Sequence, residues 1–208
     1  MQALTPVEIL EKVHVRYEGN TEYPTVGEED HTVRVAYLDD SVSALEREAM
    51  NGVKFDFLRE EETLTATGTG SDDLPTDFLS FLTNYIKVGN EEYFRVTKDQ
   101  GNFYEQSGNE PYVFWKEGTK LRSLPALSGT VTYPYQRKFN RFPDGDEVTT
   151  ADGEGSYYVE SVIAMLYLSD GDLNQYNVHA NNAKDIFDAM KGEAITSAPN
   201  QSKFGIGM

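Results

Sequence analysis

Four amphipathic helical stripes, two towards each end of the chain, constrain the fold more than any other feature of this sequence. Apolar residues recur at alternating spacings of three and four, which is the pattern of helices that pack through one face. The stripes are Ile9, Leu10, Val13 and Tyr17; Val35, Leu38, Val42, Leu45 and Ala49; Val159, Val162, Ile163, Leu166 and Tyr167; and Leu173, Tyr176, Ala180, Ala183, Phe187 and Met190. Because each stripe needs an apolar partner, we expect the two ends of the chain to meet in one four-helix bundle.

Capping signals predict the limits of these helices. Thr5, Pro6 and Glu8 have the spacing of a capping box with proline in the first turn, so the first helix should begin there. Asn51-Gly52 should end the second helix, because both residues tolerate positive φ. Ser156 is the expected N-cap of the third helix.

The segment between the helical halves has a different period. Polar and apolar residues alternate within it, as in the run 63–67, and such alternation favours strands. Residues 111–124 predict a hairpin around a Glu-Gly-Thr turn, and residues 129–133 predict a third strand. Pro134 would place that strand at a sheet edge, because proline has no N–H to donate to a neighbouring strand.

These patterns together predict an α+β fold with four segments. Residues 1–52 and 143–193 supply the bundle helices, and residues 53–142 form an inserted antiparallel β-rich subdomain. Residues 194–208 have no periodicity and are expected to be an extended tail that becomes ordered when a partner binds it.

Composition limits the possible functions. The chain of 208 residues carries a formal net charge of −17, which argues against gripping nucleic acid through its phosphates. It contains no cysteine, so a disulfide framework, a thiol nucleophile and a thiolate metal site are all excluded. We predict neither a signal peptide nor a membrane span, and no membrane partner, because no apolar run approaches the roughly 20 residues that a spanning helix needs.

The motifs of catalysis and of cofactor binding are missing from the sequence. His14, His31 and His179 lie far apart and none has a metal-binding spacing, so we interpret them as solvated or helix-face residues. Asp170-Gly171-Asp172 begins like a calcium loop, but the glycine and glutamate that such a loop requires later are absent. The sequence contains neither a nucleophile elbow nor a phosphate loop. We therefore expect no metal, no cofactor and no enzymatic activity.

One short basic segment interrupts this acidic chain. Arg137, Lys138 and Arg141 lie within five residues of each other and are candidates for contact with a phosphate backbone. The alternative interpretation is an exposed connection that leads into the third predicted helix.

Several short motifs, in their order along the chain, resemble those of the head-to-tail adaptor proteins, or connectors, of tailed bacteriophages. Leu74-Pro75-Thr76-Asp77-Phe78, here called the Leu-Pro motif, follows a helix that contains Leu38 and an aromatic segment interpreted as a strand. Proline keeps Leu74 extended, and Phe78 then returns to apolar surroundings. The matching pieces are residues 37–42, 55–58, 74–78, 121–125 and 165–172, the last of which includes Asp170.

The resemblance implies a structural protein of the virion that assembles in the host cytoplasm. Such proteins form rings, typically of twelve copies, beneath the portal protein, and they present a platform to a stopper, nozzle or tail-tube protein. Genomic DNA would cross the ring without sequence-specific binding. Because a terminal segment embraces the portal in related connectors, Lys203, Phe204, Ile206 and Met208 become the candidate portal-binding residues.

Two other interpretations stay open at this level. One is a tail-completion or stopper ring, although such proteins usually have fewer helical stripes. The other is an acidic carbohydrate- or protein-binding module in which Tyr112, Phe114 and Trp115 line a groove.

Overall fold

The computed structural model of the protein describes residues 2–19, 22–108, 111–142 and 147–191. Five α-helices, one 3₁₀ turn and eight strands lie in these ranges. The helices are α1 (Pro6–Glu18), α2 (Glu29–Met50), α3 (Lys98–Ser107), α4 (Gly155–Ser169) and α5 (Leu173–Met190). The strands are β1 (Arg59–Thr67), β2 (Ser71–Asp73), β3 (Phe78–Phe81), β4 (Tyr85–Val88), β5 (Glu91–Arg95), β6 (Val113–Glu117), β7 (Lys120–Leu124) and β8 (Ser128–Arg137). The predicted α+β class is confirmed.

The predicted capping box of α1 is confirmed. The Thr5 hydroxyl accepts a hydrogen bond from the Glu8 backbone N–H, and the Glu8 carboxylate accepts one from the Thr5 backbone N–H at 2.8 Å. Two N–H groups that the first turn would otherwise leave unpaired are thereby satisfied.

The predicted N-cap of α4 is wrong. Glu154 occupies the cap position and the helix starts at Gly155, so Ser156 lies inside the first turn. The segment before α1 determines this start, because the Gly155 N–H donates to the Gln2 carbonyl at 2.9 Å and the Leu4 side chain packs on Gly155. A Cβ at residue 155 would lie 2.5 Å from Leu4 carbon atoms, which is closer than side chains pack.

Helix α4 joins the two ends of the chain. It packs against α1, α2 and α5, and its stripe is buried from Val159 to Leu166. The stripe of α2 is also buried, from Val35 to Ala49. The stripe of α5 is only partly covered: Ala183 and Met190 are buried, but Leu173 is 59% exposed. An open groove separates α5 from α2 on this side of α4.

The strands form two sheets. The first has the order β1-β8-β3 and the second has the order β2-β7-β6-β5-β4. The predicted hairpin is confirmed as β6 and β7, and the predicted third strand is confirmed as part of β8.

The predicted edge position of β8 is wrong, because β8 is the central strand of its sheet. Its proline is tolerated for a local reason. The Pro134 carbonyl accepts from the Leu82 N–H, and residue 82 lies just beyond the end of β3. Within a strand the N–H and C=O of one residue point the same way, so the missing N–H of Pro134 would have faced β3 and not β1. The pairing of β8 with β1 therefore loses no hydrogen bond.

Two further expectations for the β-rich segment are corrected. The sheet is not purely antiparallel, because β5 and β6 are parallel and α3 forms the crossover between them. Parallel strands need such a long connection, and a helix commonly supplies it. The aromatic segment that was expected to be a strand is a 3₁₀ turn over Asp56–Leu58, and β1 starts only at Arg59.

The interior is divided into two apolar cores, which we call the helical core and the sheet core. The helical core collects the stripes of α1, α2 and α4 with Phe55 and Leu58, and the sheet core lies between the two sheets. Strand β3 contributes to both, because Leu79 packs in the helical core whereas Phe78 and Phe81 pack in the sheet core. The two parts of the protein are therefore joined through this short strand.

Candidate assembly surfaces

The Leu-Pro motif forms the connection between the two sheets. Leu74 follows β2 and donates its N–H to the Thr119 carbonyl at 3.0 Å. A turn then closes between the Pro75 carbonyl and the Phe78 N–H at 3.0 Å, and β3 begins at Phe78. The motif thus leads the chain from one sheet to the other, and its two apolar side chains anchor it in the sheet core.

Asp77 and Phe78 hold this connection against β8. The Tyr135 hydroxyl donates to the Asp77 carboxylate at 3.1 Å, and the Asp77 carbonyl accepts from the Lys138 N–H at 2.6 Å. The Phe78 and Tyr135 rings are stacked, with their centroids 5.5 Å apart. Burial, helped by the hydrogen bond to Asp77, raises the pKa of Tyr135 to about 12, so its hydroxyl stays a proton donor at neutral pH.

Leu38 and Asp170, the two residues of the resemblance that were predicted to lie in helices, both make contacts within the fold. Leu38 is fully buried in the helical core. Asp170 caps the end of α4 and accepts a short hydrogen bond from the Tyr17 hydroxyl of α1. Burial, followed by this bond, raises the pKa of Tyr17 above its ordinary value. Asp170 therefore ties α1 to the turn between α4 and α5.

The three basic candidates are engaged within the chain. Arg137 forms a bidentate ion pair with Asp152, at 2.6 and 3.1 Å, and this pairing raises the pKa of the guanidinium group. Lys138 donates to the Thr76 carbonyl at 3.1 Å. A DNA phosphate would have to compete with these internal acceptors.

Arg141 binds the polar side of α2. It donates to Asp39 at 2.8 Å and to Ser43 at 2.7 Å, and it also forms a short ion pair with Glu46. These contacts hold the segment after β8 on the helical layer. The phosphate contact of the three basic residues remains a prediction.

A buried polar cluster lies between α1 and α2 and includes two of the histidines. Arg34 is 2% exposed and donates to His14 Nδ1 at 2.7 Å and to Glu18 at 2.9 Å. A guanidinium group only donates, so Nδ1 of His14 must be the acceptor. His31 Nδ1 lies 2.9 Å from the Tyr23 hydroxyl. Of the two predicted environments, solvated or helix-face, both histidines fit the second, because they are buried side chains of α1 and α2.

A second polar network ties α1 and α5 to α4. The buried Glu160 carboxylate pairs with Arg16 at 2.6 Å and with His179 Nδ1 at 2.7 Å, and it accepts from Asn182 at 3.2 Å. Burial alone would raise the pKa of Glu160, but the bonds from His179, Arg16 and Asn182 outweigh it and lower the pKa below its ordinary value.

The aromatic residues of the alternative binding module do not form an open groove. Tyr112 is exposed and donates to Glu91 at 2.7 Å, whereas Phe114 and Trp115 are buried, with the indole ring of Trp115 lying under Gly101 of α3. Tyr85 and Phe94 are an exposed aromatic pair, because they are direct cross-strand neighbours on β4 and β5.

One concave surface of the described residues was not predicted. It is the open groove between α2 and α5, floored by α4, with a volume of about 610 Å³. We call it the α2–α5 groove. Its lining is mainly apolar and rich in small side chains, and includes Leu45, Tyr157, Ala164, Ala180, Ala183 and Phe187. The signal was present in the sequence as the weak stripe of α5, which contains two alanines where larger residues would fill a bundle core.

The comparison with protein families gives a match along nearly the whole chain. The model of the family described as SU10 adaptor protein matches residues 8–203. The chain belongs to the SU10 adaptor protein family. Among curated proteins, none matches this chain. The match begins within α1 and continues past α5, so it includes both helical ends and the whole β-rich segment.

Membership in the SU10 adaptor family establishes the general role. The protein is a phage structural adaptor and a component of the virion, which interacts with other capsid or tail proteins. Over the described ranges, no helix is long and apolar enough to cross a membrane. Within the same ranges, no three His, Asp or Glu side chains converge as a metal site would require. The candidate portal-binding residues 203–208 lie outside the residues that the structure describes.

Proposed function

We propose that this SU10 adaptor protein is the head-to-tail adaptor that forms a ring between the portal protein and the next tail component, which is a stopper, nozzle or tail-tube protein. The ring assembles in the host cytoplasm and contains about twelve copies. Genomic DNA passes through it without sequence-specific contacts. The protein has no catalytic role in this process.

The observation that carries this proposal is the family match over residues 8–203, since it extends through every structural part of the chain. The adaptor role therefore belongs to the whole protein and not to a single appended segment. In this proposal residues 1–52 and 143–193 act as one four-helix bundle, with residues 53–142 inserted and residues 194–208 as the tail. The sheet core supports the inserted segment, because all of its residues lie within 53–142, whereas the helical core also takes in Phe55 and Leu58 from that segment.

Charge supports a passive conduit. The chain carries 35 acidic against 18 basic residues, and a wall of carboxylates discourages a polyanion from binding as it passes. Arg137 and Arg141 belong to internal ion pairs, which lowers their availability to phosphate. The proposal requires that the lumen be lined by acidic side chains, and a lumen lined by lysine and arginine would contradict it.

The tail is the proposed portal anchor. Phe204, Ile206 and Met208 offer apolar groups separated by glycines, and Lys203 adds a positive charge. A segment of this kind can order on a partner and bury its apolar side chains there.

The test is a deletion of residues 197–208. We expect the shortened protein to retain its unfolding transition, because the described cores contain none of these residues, but to bind purified portal protein at least tenfold more weakly than the full chain. A matched control replaces Lys203 and Phe204 by Ala in the full-length chain, which should reproduce most of the loss. Equal portal binding by the full and shortened chains would refute the anchor.

A further inference from the structure

Strand β1 is a long edge strand whose outer side has no neighbouring strand among the described residues. It is the terminal strand of its sheet, and all nine of its residues pair with β8 on the inner side. Edge strands are commonly protected by lysine, by proline or by a bulge, but β1 contains none of these and its register with β8 is unbroken. The strand is therefore open to the addition of a further strand.

Alternate residues of β1 direct their backbone groups to this open side. Glu61 lies opposite Pro134, whose carbonyl points to β3, so the N–H and C=O of Glu61 point away from β8. The same alternation applies to Thr63 and Thr65. Thr67 agrees with it, because its N–H donates to a carboxylate of β2 at 2.7 Å and not to β8. Within the described ranges, the outward backbone groups of residues 61, 63 and 65 have no partner.

The side chains of β1 indicate what kind of strand would fit beside it. Leu64 and Ala66 pack on the sheet core but are only half-buried, so an added strand could cover them with apolar side chains. Residues 60–62 are three consecutive glutamates. Among the described ion pairs, only Glu60 has a basic partner, which is Arg137 at 3.8 Å. This end of the edge therefore carries negative charge that a basic segment would neutralise.

We propose that the open edge of β1 binds an extended segment of another virion protein as an added strand. Lysine or arginine of that segment lies opposite residues 60–62, and its apolar side chains cover Leu64 and Ala66. The outward backbone groups of residues 61, 63 and 65 supply the hydrogen bonds, as in other cases of strand addition. This inference extends the proposed function, because it gives one partner contact of the adaptor a surface and a chemistry.

Charge and geometry favour a different protein over a second copy of this chain. A second copy carries a net charge of −17 and is repelled. The other edge strands of the described fold also fit poorly. Strand β2 has three residues, of which two are aspartates, and β3 is largely buried. In β4, the N–H and C=O of Tyr85 are both already bonded to the Thr83 hydroxyl.

Hydrogen exchange of the isolated subunit, followed by NMR on isotope-labelled protein, tests whether the edge is open. The amides of Thr63 and Thr65 should exchange at least about tenfold faster than those of Leu64 and Ala66, which donate to β8. Slow exchange of all four amides would mean that the chain covers its own edge, and this would overturn the inference. Protection of Thr63 and Thr65 that grows with protein concentration would also overturn it, because the occupant would then be a second copy.

The binding probe is the acetylated and amidated peptide Lys-Lys-Val-Thr-Val-Thr-Val-Lys-Lys, whose lysines reach residues 60–62 in either strand direction. The control peptide has glutamate in place of every lysine. We expect the lysine peptide to bind with a Kd below about 1 mM, at least tenfold more tightly than the control, and to slow exchange at Thr63 and Thr65. Equal binding of the two peptides, or binding without protection of these two amides, would overturn the inference.

Thr65→Pro is the matched variant, because it removes an outward N–H and leaves the pairing with β8 intact. It should weaken binding of the lysine peptide at least tenfold, and unchanged binding would contradict the proposal. If this variant fails to fold, Glu61→Lys combined with Glu62→Lys replaces it and should make the glutamate peptide the tighter ligand. No portal and no ring are needed for these measurements, so their outcome is independent of the test of the proposed function.

Discussion

Phe78 is the side chain on which the connection between the two cores most depends, and its truncation gives a sharp test of the structure. The ring is 5% exposed. It stacks on Tyr135 and meets Phe81 edge-on, with the two centroids 4.6 Å apart. The Lys116 ammonium group lies 5.0 Å from the centroid of the Phe78 ring. Burial of this ammonium group lowers the pKa of Lys116.

The expected cost of Phe78→Ala is about 4 kcal/mol of unfolding free energy. Truncation of a buried phenylalanine costs roughly 3–5 kcal/mol through lost transfer energy and the cavity that remains. The ring contacts of Phe78 with Tyr135 and Phe81 are worth about 0.5–1.5 kcal/mol each, so the cost of Phe78→Ala should lie above the lower end of that range. Phe78→Leu fills most of the cavity and should cost about 1–2 kcal/mol.

Urea unfolding followed by circular dichroism measures this effect. With a slope of about 2 kcal/mol per M, Phe78→Ala should move the midpoint down by about 2 M without a change in slope. The matched control is Phe94→Ala, because Phe94 is 55% exposed on β5 and its loss should stay within about 0.5 kcal/mol. Equal effects of the two alanine substitutions would refute the role assigned to the Leu-Pro motif.

Two further predictions concern other contacts of the fold. Gly101→Ala puts a Cβ about 2.4 Å from the ring of Trp115, so it should lower the unfolding free energy by about 1–3 kcal/mol. It should also alter the fluorescence of Trp115, which is the single tryptophan of the chain. The control Phe103→Ala, on the exposed face of α3, should change neither quantity. Glu160→Gln should cost about 2 kcal/mol at pH 7, because it removes charge-assisted hydrogen bonds between α1, α4 and α5. Since the folded-state pKa of Glu160 is depressed, its contribution is present above the unfolded-state pKa and is lost as pH falls through the folded-state value. The stability difference from the wild type, measured by urea titration at several pH values, should therefore shrink on acidification, and a constant difference would contradict this explanation.

The helical ends of the fold were predictable because their signals are local. The capping box at Thr5 and Glu8 and the stripe of α2 are read from neighbouring residues, and both proved correct. Helix α3 has an equally good capping box at Thr97 and Gln100, but the strand-like residues on both sides concealed it. Its interior glycine is explained only by the tryptophan that packs on it, which is a tertiary contact.

The errors in the β-rich segment also have tertiary causes. Pro134 is normally an edge signal, but here β3 ends just before the point where the missing N–H would be needed. The cap of α4 is set by Gln2 and Leu4, which are distant in sequence. Leu74 and Phe78 were singled out because they belong to a motif, and both are buried in the sheet core. The α2–α5 groove depends on the distance between two helices and has no sequence motif of its own.

Electron microscopy of the SU10 adaptor protein mixed with the purified portal protein of the same phage tests the central claim most directly. The account predicts a closed ring of about twelve adaptor copies, coaxial with the portal and attached to one of its faces. Rings of six copies that do not associate with the portal, or subunits that stay monomeric in its presence, would contradict it.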